Sequence, residues 1–428
     1  KNRLGFLSNE HIIMSENGLG QVDDLNDMVY NFGRTTVTSL LDSDPIDVSV
    51  SSGRVTNLKS AQGFQENLVL FADGSQFVLK GGDLLTPSTV NISPITNFSY
   101  DSRVKPLALG SYIYFPFTRG LFTGVCEFTI NASTEVYDAV EVTEHVPSYI
   151  PSNIVSMAGT TAEDMIILLS SDEKSSLYVY NYFWSGQKKL QSAWSKFTLL
   201  GDILSVEFIE SVLYVVTTHN NQTHLLSLPL QTGLTDDAGY VTHLDYRFDA
   251  TVTAGDVNIP MPYTLESTDV IEVYTKTGSK LEATHNNGIA ILKDPLTEDT
   301  DVWVGVNYTM KYVFSEQVFK ASAGQTRTPS SANKLMLKNA SIFFNESGYF
   351  KAKVTPKLRD TKESVFVSNK VGQSIIGNVE LESGYFRFPI FSSAEDTVIS
   401  LENSSALPST FNSAEFETFT HGRSSRYG

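Results

Sequence analysis

Apolar residues in this chain come in short runs closed by Gly, Asp, Asn or Ser, a pattern that predicts strands joined by tight turns. Asn67-Leu68-Val69-Leu70-Phe71 is followed by Asp73-Gly74 and then by Gln76-Phe77-Val78-Leu79. An Asp-Gly pair between two apolar runs predicts a hairpin, because both turn positions favour φ > 0. Ser111 to Phe117 pairs in the same way with Gly124 to Ile130, Met165 to Leu169 with Leu177 to Tyr180, and Val206 to Ile209 with Val212 to Val216 across Glu210-Ser211. The leading runs centre near Leu68, Ile113, Ile166 and Val206, at spacings of roughly 45, 53 and 40 residues. A period of roughly 40 to 50 residues is that of propeller blades. A lone hairpin cannot bury its apolar face, and radial repetition covers it. No Trp-Asp signature accompanies the repeat, so a series of β-sandwiches competes with the propeller.

The pattern weakens around Thr232 to Asp245, where Thr235-Asp236-Asp237-Ala238-Gly239 reads as a loop. The expected organisation is therefore a propeller-like region over 1–245 and a second β region over 246–428. The latter is built of short antiparallel sheets or a β-sandwich, or completes the propeller. Val270 to Tyr274, Gly288 to Leu292, Val302 to Val306 and Met310 to Phe314 are its first strands. Tyr385 to Ile390 puts Phe386, Phe388 and Ile390 on one side of a strand. Helix is hinted only at Leu25 to Tyr30 and at Ser330 to Asn339, and in the second stretch Leu335 and Leu337 alternate better as strand. The expected fold class is all-β, which argues against nucleotide-binding α/β folds.

Composition narrows the function. A hydrophobic content of 41% permits sizeable cores, and a charged content of 18% leaves much of the surface to Ser, Thr, Asn and Gln. The formal net charge of -17 excludes a broad phosphate-binding face. It fits a surface that weakly repels a passing duplex, although solubility alone accounts for acidity of this size. Cys126 is the single cysteine, so no intrachain disulfide forms, and its strand-like surroundings predict a buried apolar role. No apolar span is long enough for a membrane helix, and no membrane anchor is expected. The chain opens on Lys1 and reads as an internal fragment of a longer polypeptide.

The search for chemistry predicts no catalytic set, no metal and no cofactor. His219 and His224 are five positions apart, and the metalloprotease pattern needs four, with a Glu on a helix. Asp42-Ser43-Asp44-Pro45-Ile46-Asp47 has the composition of a calcium loop without its Gly and terminal Glu, and reads as a turn. Glu207 and Glu210 flank a tight turn, and nothing in the sequence makes them the facing carboxylates of a glycosidase. The aromatic run Tyr178 to Trp184 is more informative. Part of it belongs to a core, and the surplus could anchor a subunit or a glycan. Tyr182, Phe183, Trp184, Lys188 and Lys189 form that candidate contact. A second candidate is a basic interface at Lys351, Lys353, Lys357 and Arg359, diluted by Asp360 and Glu363.

An ordered set of short pieces carries a resemblance. It comprises Arg3-Leu4-Gly5-Phe6-Leu7-Ser8, Met14-Ser15, Tyr30-Asn31-Phe32, the Asp42 to Asp47 segment, Asn67 to Phe71 and Gln76-Phe77. Leu177 to Tyr180, Gln191-Ser192-Ala193-Trp194, Gly305 to Thr309 and Tyr312 to Ser315 follow, then Gly384 to Arg387 and Gly422 to Arg426. Together they resemble the tail tubular protein B (tail nozzle protein) family of T7-like short-tailed bacteriophages, over nearly the whole chain. Phe32-Gly33 departs from the two adjacent bulky aromatics usual there. The resemblance implies a structural protein of the virion tail, not an enzyme. It implies a homo-hexameric nozzle that forms part of the genome-ejection channel, with the tail adaptor protein and tail fibres as neighbours and double-stranded DNA passing without sequence recognition. A polysaccharide-degrading tail enzyme and a non-catalytic glycan-binding module remain the alternatives.

Overall fold

The computed structural model describes residues 3–17, 31–33, 38–51, 56–82, 84–131, 136–186, 188–231, 233–318, 320–323, 326–329, 333–368 and 379–422. The helix hint at Leu25 to Tyr30 lies outside the described residues, as does Arg423 to Arg426. The fold is all-β: every sheet is antiparallel, and the helical content of the described residues is one 3-10 turn at Ala394–Asp396. The chain divides into two compact units, Lys1–Gln231 and Thr232–Gly428.

Among the described residues the first unit holds five small sheets, each a meander with its strands in chain order. The first has β1 (Gly5–Ser8), β2 (His11–Met14) and β3 (Ile46–Ser49). The second has β4 (Leu58–Phe64), β5 (Asn67–Ala72), β6 (Gln76–Lys80) and β7 (Asn91–Thr96). The third has β8 (Leu107–Leu109), β9 (Tyr112–Arg119), β10 (Phe122–Asn131) and β11 (Val136–Glu141). The fourth has β12 (Ile154–Thr160), β13 (Met165–Ser170), β14 (Ser176–Ser185) and β15 (Lys188–Thr198), and the fifth has β16 (Asp202–Ile209), β17 (Val212–His219) and β18 (Gln222–Pro229). Leu68, Ile113 and Ile166 each fall on the second strand of their sheet, whereas Val206 falls on the first, which is why the last spacing is the shortest. The Asp73-Gly74 hairpin forms, but its turn takes four residues, closed by Ala72 N donating to Ser75 O at 2.9 Å. Neither Asp73 nor Gly74 is left-handed there, because a four-residue loop can be built on a right-handed turn. Glu210, in the tight turn of the fourth hairpin, does adopt φ 55°.

Period-2 alternation makes these sheets stack. Along β13, Ile166 and Leu168 face the third sheet and join Tyr114, Val125, Tyr178 and Tyr180. Ile167 and Leu169 face the fifth and join Leu177, Val179, Leu213 and Val215. A strand buried on both faces reads as a continuous apolar run, as Met165 to Leu169 does. Val69, Phe71, Phe115 and Phe128 fill the space between the second and third sheets, and Ile12, Ile46, Leu70 and Phe77 that between the first and second. The leading strands β1, β4, β8, β12 and β16 adjoin one another in that order, so the sheets fan out from a common edge. Gly201, just before β16, has φ +85°, and a Cβ there would lie 2.4 Å from Thr218 O. Gly201→Ala is expected to cost about 1–3 kcal/mol in a urea titration, since both the backbone and the contact are strained. An unchanged midpoint would contradict this.

In the second unit, strands Asp245–Val252, Thr300–Val306, Ile271–Thr275 and Lys280–Leu281 form one sheet, and Asn258–Pro260, Ile289–Leu292 and Ala283–Asn286 a smaller one. A sheet of Met310–Val313, Thr397–Asn403, Tyr349–Pro356 and Lys362–Val367 faces a long-stranded sheet of Glu382–Ser393, Asn333–Ser347 and Thr410–Gly422. Ala340, Ile342, Ala352, Val354, Phe388, Ile390 and Leu401 fill the sandwich between them. Phe386, Phe388 and Ile390 share that core, and Leu335 and Leu337 lie in a strand.

Candidate functional site

The first candidate contact lies on the β14–β15 hairpin. Tyr178, Tyr180 and Tyr182 alternate towards the third sheet, because every second side chain of a strand shares a face. They meet Tyr114, whose ring centroid is 6.4 Å from Tyr180 and 5.7 Å from Tyr182. Trp194 stacks on Tyr180 at 4.8 Å, and its Nε1 donates to Val142 O at 3.0 Å. A β-bulge between Phe183 and Trp184 makes Leu190 the extra residue and sets Trp184 opposite Lys189. Trp184 thereby stacks flat on Tyr112 at 5.0 Å, with Lys189 Nζ 4.8 Å from its ring centroid.

An ion pair closes this seam. The Glu127 carboxylate is 6% exposed and accepts from Tyr114 OH at 2.7 Å and from Lys189 Nζ at 2.6 Å. Lys189 also donates to Tyr180 OH at 3.2 Å, which shares a hydrogen bond with Ser192 Oγ at 3.0 Å. Burial, and then the Glu127 charge, drives the Tyr114 phenol far above its ordinary range, so it stays a donor. Glu127 and Lys189 are thus committed to each other across adjacent sheets. The arrangement fastens the third and fourth sheets together. Of the predicted contact residues, Tyr182, Trp184 and Lys189 belong to this seam, whereas Phe183 and Lys188 lie exposed beyond it.

Nearby, Glu173 accepts from Tyr178 OH at 2.5 Å, Lys196 Nζ at 2.9 Å and Ser176 Oγ at 2.8 Å. Those hydrogen bonds hold its carboxyl down at about 2. A depressed carboxyl contributes stability that is full above its unfolded value of about 4.5 and is lost as pH falls towards 2. The urea midpoint is therefore expected to drop through that window, and Glu173→Gln to flatten the drop. An equally steep acid limb in Glu173→Gln would sink the assignment.

The second candidate set is dispersed. Lys351 and Lys353 alternate with core residues Ala352 and Val354 on Tyr349–Pro356. Lys353 Nζ lies 2.7 Å from Glu402 and 3.3 Å from Glu363, and Lys351 Nζ 3.9 Å from Glu363. With Lys311 3.9 Å from Glu402, the charges alternate in sign across the sheet. Lys357 and Arg359 sit on the following turn beside Leu358, which is 92% exposed, and Arg359 donates to Phe391 O at 2.9 Å. The balancing Glu402 comes from another strand, so the run of basic residues carried no sign of it.

Cys126 is fully buried, and burial pushes its thiol up to about 12. Among the described residues no group of His, Cys, Asp and Glu could hold a metal ion. The acidic Asp42 to Asp47 turn is met by the Arg3 guanidinium, which donates to the carbonyls of Asp42 (2.7 Å) and Asp44 (2.6 Å). No helix among the described residues is long and apolar enough to cross a membrane.

Known proteins resemble this sequence. The family described as bacteriophage nozzle protein matches residues 1–427. Tail tubular protein gp12 of Escherichia phage T7 is 27% identical over 432 residues, covering 95% of this chain and 53% of that protein. The chain thus spans about half the length of that curated relative. Among solved structures, Kluyveromyces lactis Hsv2 aligns with a TM-score of 0.32 and 11% identity over 69% of this chain and 83% of that one. PorZ of Porphyromonas gingivalis aligns with a TM-score of 0.25 and 12% identity over 68% and 38%. Both likenesses are too slight to bear on function.

Proposed function

We propose that this chain, which belongs to the bacteriophage nozzle protein family, builds part of the wall of the tail channel through which the genome leaves the particle. It is a structural component of the virion tail. The observation that carries the reading is the family match, which runs from residue 1 to residue 427 without selecting one segment. The stacked sheets of the first unit act as propeller blades, a rigid support in which each sheet is clamped by its neighbours. Assembly is as a homo-hexamer against the adaptor protein, with tail fibres docked near the junction. A net charge of -17 suits a wall that double-stranded DNA passes without adsorbing.

The role proposed is mechanical rather than enzymatic. Two of its buried carboxylates, Glu127 and Glu272, are each neutralised by a lysine, Lys189 at 2.6 Å and Lys280 at 2.5 Å, which suits fastening better than acid–base work. The test is a density map of intact tails, with hexameric density for this chain around the channel as the expected result. A chain located outside the tail, or a channel-facing wall that is strongly basic, would overturn the reading. Release of sugar from host capsule by the purified chain, abolished by a single carboxylate substitution, would establish the glycan-hydrolase alternative.

A further inference from the structure

We propose that the outer face of the fifth sheet receives the Phe183–Leu190 hairpin tip of a second copy of this chain, an inference that rests on the nozzle reading. Within the first unit, and among the described residues, the second, third and fourth sheets bury both their faces, whereas the fifth packs only the face turned towards the fourth. On its other face, Val212, Tyr214 and Val216 alternate outward, and the register places Ile209, Glu207 and Leu225 opposite them. Leu225 is 71% exposed and Ile209 60%. An exposed apolar surface of this kind at the end of a stacked series marks an interaction site.

Charge selects the occupant. Between Phe197 and Tyr246 there is no Lys or Arg, and Asp202, Glu207 and Glu210 are the acidic residues of the fifth sheet and its turn. From Lys174 to Gly201 the reverse holds: Lys174, Lys188, Lys189 and Lys196 stand without any Asp or Glu. Lys189 and Lys196 are committed to Glu127 and Glu173, while Lys188 is exposed at the hairpin tip. Flanking it, Phe183 is 48% exposed, and Leu190, the extra residue of the bulge, is 57% exposed. The tip therefore offers two apolar side chains with a cation, and the sheet an apolar centre with a purely acidic border. Apolar cores with charged rims are how specific interfaces are built, and the charges fix partner and register. The tip cannot reach this face within its own chain, because the fourth sheet packs on the opposite face of the fifth. Two different patches meeting head to tail propagate from copy to copy, and close into a ring when the rotation allows.

The test uses tails assembled with the full-length chain carrying Leu190→Cys and Leu225→Cys together. Native Cys126 is fully buried and gives no background. After oxidation, a non-reducing gel is expected to show a ladder of covalent multimers beyond the dimer, with each single variant running as monomer. Monomer alone from tails that contain the chain, or a bond to a different tail protein, overturns the proposal while leaving the nozzle reading intact. A chain absent from the tails overturns both. Wild-type tails give an independent readout. Carbodiimide treatment of tails assembled from light and isotopically heavy chains is expected to join Lys188 to Asp202 or Glu207 across the two labels. Links confined to one label overturn the proposal.

Discussion

Replacing Lys189 with methionine is expected to destabilise the first unit by about 3–5 kcal/mol, the usual consequence of stranding one charge of a buried pair. Glu127 would keep Tyr114 as a donor at 2.7 Å but lose the Lys189 ammonium paired with it, in a seam where both partners are largely withdrawn from water (19% and 6% exposed). Trp184 would lose its cation and Tyr180 one of its hydrogen bonds. The double change Glu127→Leu with Lys189→Met is expected to recover most of the loss, because an apolar pair escapes the desolvation that the ions endure. Trp184 and Trp194 lie in the seam, so urea unfolding followed by tryptophan fluorescence reports on it directly. A single variant within about 0.5 kcal/mol of wild type, the range of ordinary surface substitutions, would show that the pair fastens nothing.

Truncating Phe350 to alanine is expected to cost the second unit about 3–5 kcal/mol, through lost burial and the cavity left behind. Its fully buried ring is ringed by Phe366 at 4.8 Å, Phe411 at 5.1 Å, Phe344 at 5.2 Å and Phe386 at 5.5 Å. These side chains come from both sheets of the sandwich, so no single strand can close the gap. Hydrogen exchange is the suitable measurement: amides of Asn333–Ser347, Glu382–Ser393 and Thr410–Gly422 should lose protection together. Arg387→Ala serves as a contrast. Its partner Glu417 is held at about 2 by hydrogen bonds from Lys338 and Asn339 and then Arg387, but the pair is exposed and screened by solvent, so the expected change is small beside that of Phe350→Ala. Equal effects of the two substitutions would refute the ranking.

Much of the fold was legible before any coordinates. The apolar runs and the turn residues located the four predicted hairpins, because alternation and left-handed turn positions are local properties of a chain. Met165 to Leu169 was legible as a strand, but its burial on both faces comes from the sheets packed either side of it. The Asp73-Gly74 turn shows the limit: its hairpin was evident, but not its length, which depends on how β5 and β6 register. The candidate sites were less legible. Tyr182 to Lys189 stood out by composition, yet nothing local separated seam residues from exposed ones. The bulge at Leu190 makes that separation.

By itself, the sequence determined an all-β chain of short antiparallel sheets, the burial of Cys126 and, through an ordered set of motifs, the nozzle family. All of these follow from neighbours along the chain. Only the tertiary structure decided which charges answer one another. Glu127 finds Lys189 62 positions away, and Lys353 is neutralised by Glu402 from a separate strand. Those pairings depend on which sheet faces which, and on the bulge that turns Trp184 and Lys189 to the same side. They are energies between distant segments, and a reading of local pattern does not contain them.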